Sequence, residues 1–280
     1  MRVSVIQMSP GADKAENIAQ ARRLLEAAIA ADRPDLVSLP EVWTCLGGTR
    51  EGKLAQAETL PARGSNAPGG EAYEFLRGIA RGARIYVHGG SMQESNGPDR
   101  LFNTTVVFDP EGQEIARYRK IHLFDITTPD GTGFRESSLY GAGDEVVTFR
   151  AGGITVGAAI CYDLRFAELF ARLRRQGAEL IMLPSAFTLQ TGKDHWEPLI
   201  RARAIETQCW FAAAATCGRY LEGARAEPRF TYGHSLVADP WGQVVAMASD
   251  GTGWATARVD PALAARVRRD MPVESHRKLT

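Results

Sequence analysis

The tetrapeptide pattern Asp-Pro-x-Gly occurs twice in this chain, each time between two runs of strand-forming residues. The segments are VVFDPEGQEIARY at 106–118 and LVADPWGQVVAMA at 236–248. Such a pattern joins two strands through a tight hairpin connection. A second pair of segments echoes in the same order: a helical stretch followed by DLVSLPE (35–41) resembles a helical stretch followed by AELIMLPSA (178–186). The echoes stand 143 and 130 residues apart, and a shared order at similar spacing argues against coincidence. The repeat predicts two pseudo-equivalent halves, each contributing a sheet, packed face to face with helices outside. That is a four-layer α-β-β-α sandwich, with residues 1–280 forming one domain.

Local patterning supplies the pieces. Short runs rich in Val and Ile predict strands over 3–8, 35–39, 85–89, 104–108, 154–160, 179–183, 211–215, 235–238 and 244–248. Apolar residues recurring at three and four predict helices over 15–31, 71–83, 166–176 and 195–207. Residues 44–70 lack periodicity and hold several Gly and Pro, which makes them a lid or binding loop, or else a plain surface loop.

A chain of this length buries roughly three quarters of the surface its unfolded state exposes, so a large core is available. Lys plus Arg equals Asp plus Glu at 33 each, so no bulk field recruits nucleic acid or an anionic membrane. No apolar run approaches the roughly 18 residues of a membrane span, and the N-terminus enters a strand at once. Cysteines at 45, 161, 209 and 217 form no disulfide framework, which points to a reducing cytosol. The histidines show no metal-ligand spacing and the glycines no phosphate-binding motif, so neither a metal nor a cofactor is expected. The basic segment RVRRDMPVESHRK belongs to a tail, about 262–280, that is solvated or packs on a partner subunit.

Cys161 ends the apolar run GITVGAAI and precedes a helical pattern. A thiol at a strand-to-helix turn can point out at the sheet edge, where following N–H groups would lower its pKa. The geometry resembles a nucleophile elbow with sulfur in place of oxygen, although a lone cysteine there is more often structural. Glu41 closes DLVSLPE, and Lys120 closes IARYRK before an apolar run. Each alone reads as a surface charge. With Cys161 they supply a base, a cation and a nucleophile, each at the carboxyl end of a strand, where open α/β sheets place their sites. Cys209 and Cys217 flank an apolar strand and read as packed thiols.

LPEVW, YRKIHLFD and ICYDLRF resemble, in order and at fitting separations, the three signature motifs of the nitrilase superfamily of carbon–nitrogen hydrolases. The resemblance runs from Val3 to about Leu279. It implies the same α-β-β-α sandwich carrying a Glu–Lys–Cys triad, with Glu41 as general base, Lys120 as cationic stabiliser and Cys161 as nucleophile. It also implies that Glu136, in FRESS, orients the substrate amide; alone it reads as a loop charge. Relatives commonly form homodimers or larger homo-oligomers through the helices after the nucleophile and after DHWE, here near 166–176 and 195–207.

The chemistry that follows is amide hydrolysis. Lys120 and the backbone N–H of Tyr162 would hold the carbonyl oxygen, Glu41 would move the thiol proton to departing ammonia, and a thioester would then be hydrolysed. Arg165 lies about one turn after Cys161 and can hold a substrate carboxylate, or pair structurally with an acid. Phe187 walls the pocket or fills core. His195 reads as a structural or cavity-wall residue. HWEPLIRARAIETQCW, CGRY, YGHSLVADPWG and LPSAF look most like members acting on deaminated glutathione; RFAELF and TLQTGKDHWE look as much like omega-amidases acting on 2-oxoglutaramate or succinamate. Both likenesses break in 44–70 and in ATCGRYLEGARAEPRFTYGHS. A nitrile or N-carbamoyl amino acid fits less well than an acid amide, a papain-like site would need a Cys–His pair, and the intact Glu41, Lys120, Cys161 and Glu136 argue against a non-catalytic scaffold.

Overall fold

A computed structural model describes residues 1–278 except 66, 129 and 224–226. Part of the 215–235 segment that departs from relatives, and the last two residues of the 262–280 tail, lie outside the described residues.

Two sheets carry the two echoes. In the first, the order is Gly253–Arg258, Arg2–Gln7, Leu36–Ser38, Tyr86–His88 and Leu101–Phe108, with Met92–Ser95 and Glu114–Arg119 pairing with the last strand. The second runs Thr148–Ala151, Ile154–Ala158, Leu180–Met182, Trp210–Ala213, Leu236–Ala238 and Val244–Met247. From edge inward, each shows one antiparallel pairing, then two parallel, then two antiparallel. The hairpins match in detail. Asp109 Oδ1 accepts from the N–H groups of Glu111 and Gln113, and Asp239 Oδ1 accepts from those of Trp241 and Gln243. Gly112 and Gly242 close the turns at φ of 77° and 82°, where an L side chain would be strained. Each hairpin also carries a register shift one residue inside its first strand's end.

Alternation within strands builds the layers, because successive side chains point to opposite faces. Val3, Val5, Leu36 and Val107 of the first sheet meet Val156, Leu180, Met182, Trp210 and Val237 of the second in one buried cluster. On the far side of the first sheet, Val37, Leu39 and Val87 pack under the helices Lys14–Asp32 and Glu71–Ala83 through Ile18, Leu25, Tyr73 and Leu76. On the far side of the second, Ile181, Leu183 and Phe211 pack under Ala167–Arg175 and Leu189–Thr207 through Phe170, Leu173, Trp196 and Ile200. Helix, sheet, sheet, helix is the order the repeat predicts.

Two elements differ from the sequence reading. The helix expected from His195 begins at Leu189, capped by Thr188, whose Oγ1 accepts from the N–H of Thr191 at 3.2 Å. Gly192 and Pro198 inside it hide the periodicity; Gly192 is needed because a Cβ there would lie 2.2 Å from Tyr232. The 44–70 stretch contains a short helix, Arg50–Ala55. Within the 262–280 tail, the helix Pro261–Asp270 places Ala264 in the cluster between the sheets, and Arg268 donates to the carbonyls of Ala178 and Gln208.

Candidate active site

The strand ends singled out by sequence converge. Glu41 follows Leu36–Ser38, Lys120 follows Glu114–Arg119, and Cys161 follows Ile154–Ala158, and all three line one cavity of about 410 Å³. Glu136 and Asn103 line it too. Its wall includes Cys45, Leu46, Gly47, Arg50 and Lys53, so the first part of the 44–70 stretch borders the binding space. Tyr162, Phe187, Phe124, Phe134 and Tyr220 give it aromatic walls.

Cys161 has a φ of +44°, a left-handed conformation unusual for a side chain with a Cβ. Asp163, fully buried, holds this turn. Its Oδ2 accepts from the Ile160 N–H at 2.9 Å and the Tyr118 hydroxyl at 2.6 Å, while its Oδ1 accepts from the His122 N–H at 3.0 Å. One carboxylate therefore ties the Cys161 turn to the segment bearing Lys120. The turn itself is a five-residue 3-10 helix, too short to lend much dipole to the thiol.

The lysine is clamped. Its Nζ lies 2.8 Å from Glu41 Oε1 and 2.9 Å from Glu136 Oε2, and its side chain is 1% exposed. Asn103 Nδ2 bridges the same carboxylates, at 2.9 Å to Glu41 and 3.2 Å to Glu136. The Ala186 N–H binds Glu41 Oε2 at 2.8 Å, and the Phe124 N–H binds Glu136 Oε2 at 2.6 Å. Every ionised oxygen thus has a donor, which is what makes burying these charges tolerable.

Charge around the thiol decides its resting state. Burial, then the adjacent Glu41 carboxylate, push the Cys161 thiol well above its ordinary range, and the Lys120 ammonium offsets only part of this. The expectation of a lowered pKa is therefore corrected: desolvation and a like charge outweigh the turn's N–H groups. Burial alone would push Lys120 down, but Glu136 and Glu41 hold it well above the ordinary lysine range. The thiol therefore rests protonated and the lysine as an ammonium. A carbonyl entering the cavity would meet a thiol beside a carboxylate, with a fixed cation close by.

Two further expectations divide. Phe187 is buried and lines the cavity, packed against Trp196 at 5.0 Å between ring centres. Arg165 is not among the lining residues. Its guanidinium lies behind the wall, 5.8 Å from the Tyr162 ring centre and 5.6 Å from that of Phe187, with His195 Nδ1 at 3.3 Å. The physical reason is the tight 3-10 turn, which advances 120° per residue and carries a residue four positions on away from Cys161's direction. Nor does it pair with an acid among the described residues. His122 and His195 do not line the cavity either, and His122 Nδ1 is bound to Asp163 at 2.7 Å. Asn103, Asp163 and the Ala186 N–H were missed: an uncharged amide, a buried acid inside a motif and a main-chain donor leave no charge pattern to find.

The chain matches the family described as Carbon-nitrogen hydrolase over residues 2–269. It is 36% identical over 278 residues to a Deaminated glutathione amidase of Synechocystis sp., covering 98% of this chain and 97% of that relative. An Omega-amidase NIT2 of Xenopus tropicalis is also 36% identical, over 99% of this chain and 95% of the relative. Among solved structures, the NitFhit protein of C. elegans superposes with a TM-score of 0.86 at 35% identity. That superposition covers 99% of this chain but 65% of the worm chain, so this chain spans about two thirds of its length.

Proposed function

Since the chain belongs to the carbon–nitrogen hydrolase family and is a hydrolase acting on amides, we propose that it is a Cys161-dependent amidase for small linear amides bearing a carboxylate, deaminated glutathione first among them. The observation that carries this is the Glu41–Lys120–Cys161 cluster, with Glu136, on the floor of one cavity.

In this mechanism the amide carbonyl lies against Cys161 Sγ, its oxygen turned to Lys120 Nζ and the Tyr162 N–H. Glu41 takes the thiol proton as sulfur attacks; because the resting thiol is protonated, removing that proton is part of the barrier. Each well-placed donor to the developing oxyanion is worth about 10²–10³ in rate. Glu136 keeps Lys120 charged and accepts from the amide nitrogen. Glu41 then delivers its proton to the leaving nitrogen, and a thioester remains. Water, activated by the same Glu41, releases the acid and restores the thiol.

The leaving group depends on the substrate. An unsubstituted amide yields ammonia, as expected above, whereas deaminated glutathione carries a secondary amide and yields the amine of its cysteinylglycine half. A cavity of about 410 Å³ lies in the range that encloses ligands of drug size, which supports the longer substrate. Omega-amidase activity on 2-oxoglutaramate or succinamate is the second reading, supported by the equal identity to a relative so named. The test is acid formation from deaminated glutathione, 2-oxoglutaramate, an aliphatic nitrile and an N-carbamoyl amino acid. Turnover is expected with the first two, deaminated glutathione at the higher kcat/KM, and is lost in Cys161→Ala. Turnover surviving that substitution would sink the mechanism.

Two wider features belong to the same reading. Four buried free thiols suit a reducing cytosol. Exposed Ile205, Trp241, Val245 and Met247, on the helix Leu189–Thr207 and the second Asp-Pro-x-Gly hairpin, suit a homodimer or higher homo-oligomer.

A further inference from the structure

An acid amide needs a cation for its carboxylate, and Arg165 lies behind the wall. Five basic side chains line the cavity: Arg50, Lys53, Lys120, Arg135 and Arg229. Four have protein partners. Lys120 is clamped by Glu41 and Glu136, and Lys53 pairs with Glu222 at 2.8 Å. Arg50 donates to the carbonyls of Ser138 and Asp99, and Arg135 to those of Ile126 and Phe134.

Arg229 has neither a carboxylate nor a carbonyl partner among the described residues; its polar neighbour there is the uncharged hydroxyl of Tyr220, which leaves its charge uncompensated. It sits on the strand Glu227–Tyr232, directly opposite Tyr220 of Cys217–Glu222, and Tyr220 also lines the cavity. Its guanidinium lies 4.5 Å from the centre of the Phe134 ring. Stacking of this kind holds the planar fork in place while leaving its edge N–H groups free. Arg229, Phe134 and Thr188 are shared with a smaller neighbouring groove, of about 170 Å³, which places them at the edge of the cavity. Lys120, Glu41 and Cys161 lie at the buried end.

We propose that Arg229, steadied by Phe134, is the specificity residue that binds the substrate carboxylate remote from the scissile amide. This rests on the cavity being the amidase site. That carboxylate can sit on the acyl half, as in succinamate, or on the amine half, as in N-butyrylglycine; the chemistry recognised is the same. An Arg–carboxylate fork is bidentate and directional, so it selects for charge and for length.

The experiment compares Arg229→Gln, Arg229→Lys and wild type in the full chain. kcat/KM is measured for succinamate against butyramide, and for N-butyrylglycine against N-ethylbutyramide. For Arg229→Gln the acid-to-neutral ratio is expected to fall about 10- to 100-fold in the pair whose carboxylate reaches Arg229, with Arg229→Lys intermediate. Arg165→Gln should move acid and neutral amides together. Glutarate binding to Cys161→Ala, with and without Arg229→Gln, is read by calorimetry and needs no turnover. A tenfold or greater loss of affinity supports the assignment even if no amide is hydrolysed, in which case only the amidase reading fails. Glutarate that does not bind, or binds equally to both proteins, overturns it. So do unchanged ratios in both substrate pairs, or acid and neutral amides falling together.

Discussion

Cys161, Glu41 and Lys120 were legible as residues because each is a reactive or charged group where an apolar strand ends. What sequence could not weigh was burial. The thiol's direction of shift reverses once it is placed behind aromatic walls beside a carboxylate. Asn103 was illegible for a related reason, since its role lies in two hydrogen bonds to residues 62 and 33 positions away. It is a positioning residue that holds Glu41 and Glu136 apart on either side of Lys120. Asn103→Ala leaves both carboxylates short of a donor and lets them shift, and a small misplacement is costly when reacting atoms must align. The expected result is a fall in kcat of about 10- to 100-fold with KM changed little, because a hydrogen bond to a charged group contributes roughly 1.5–3 kcal/mol. Asn103→Asp should be worse, since a third carboxylate then faces the other two. Steady-state kinetics with a thermal melt checks both variants; a loss explained by unfolding, or one confined to KM, would count against the positioning role.

Elements were readable where their periodicity was unbroken, as in the helix Glu71–Ala83, whose predicted bounds are those observed. They were unreadable where a distant contact chose the residue, as Tyr232 chooses Gly192 in the helix Leu189–Thr207. The turn bearing Glu41 shows the same dependence on a neighbour. The segment Gly89–Ser91 supports it: Trp43 Nε1 donates to the Gly89 carbonyl at 2.7 Å, the Ser91 N–H to the Pro40 carbonyl at 3.0 Å, and the Val42 N–H to Ser91 Oγ at 2.9 Å. Gly90 sits between them at φ +62°, and a Cβ there would lie 2.2 Å from the Pro40 carbonyl oxygen. Gly90→Ala must therefore push the 39–41 backbone aside, with a cost of about 2 kcal/mol or more in stability and a loss of activity as Glu41 moves. Gly78 is the contrast. It is exposed in the helix Glu71–Ala83 with nothing within 4 Å of an added Cβ, so Gly78→Ala should stabilise by about 0.5–1 kcal/mol. Urea unfolding and kcat together decide the matter; a Gly90→Ala protein as stable and active as wild type would refute the strain argument.

At the scale of the whole molecule, the twice-used hairpin disclosed the two sheets, but not the strand Gly253–Arg258, which returns from the chain's end to pair with Arg2–Gln7. Its polar and small residues alternate too weakly to announce an edge strand, and only Ala255 of it is buried. That closed core makes stability depend on pH from both sides. Burial raises the Cys45 and Cys209 thiols, lifts Cys217 to about 11, and raises Cys161 with help from Glu41. A raised folded pKa means the native state keeps protons that the unfolded chain releases, so this stability is whole below about pH 8.5 and declines as pH climbs toward the folded values. His88 has the opposite sign. It is fully buried and its pKa is driven down to about 3 by desolvation, with Ser38 Oγ 3.0 Å from its Nδ1. The unfolded chain takes up a proton near pH 6.5 that the native state refuses, so stability falls from there toward pH 3, on the order of 5 kcal/mol in all. Carboxylates with lowered pKa, such as Asp32, act in the same direction but only below about pH 4. Urea unfolding between pH 7.5 and 4.5 therefore reads the histidine above all, with Glu206, whose carboxyl burial raises, acting in the opposite sense at the acid end. Wild type should lose stability across that window, while His88→Gln, less stable at pH 7.5, should show a nearly flat profile. An equal slope in both proteins would mean that groups other than His88 carry the acid limb.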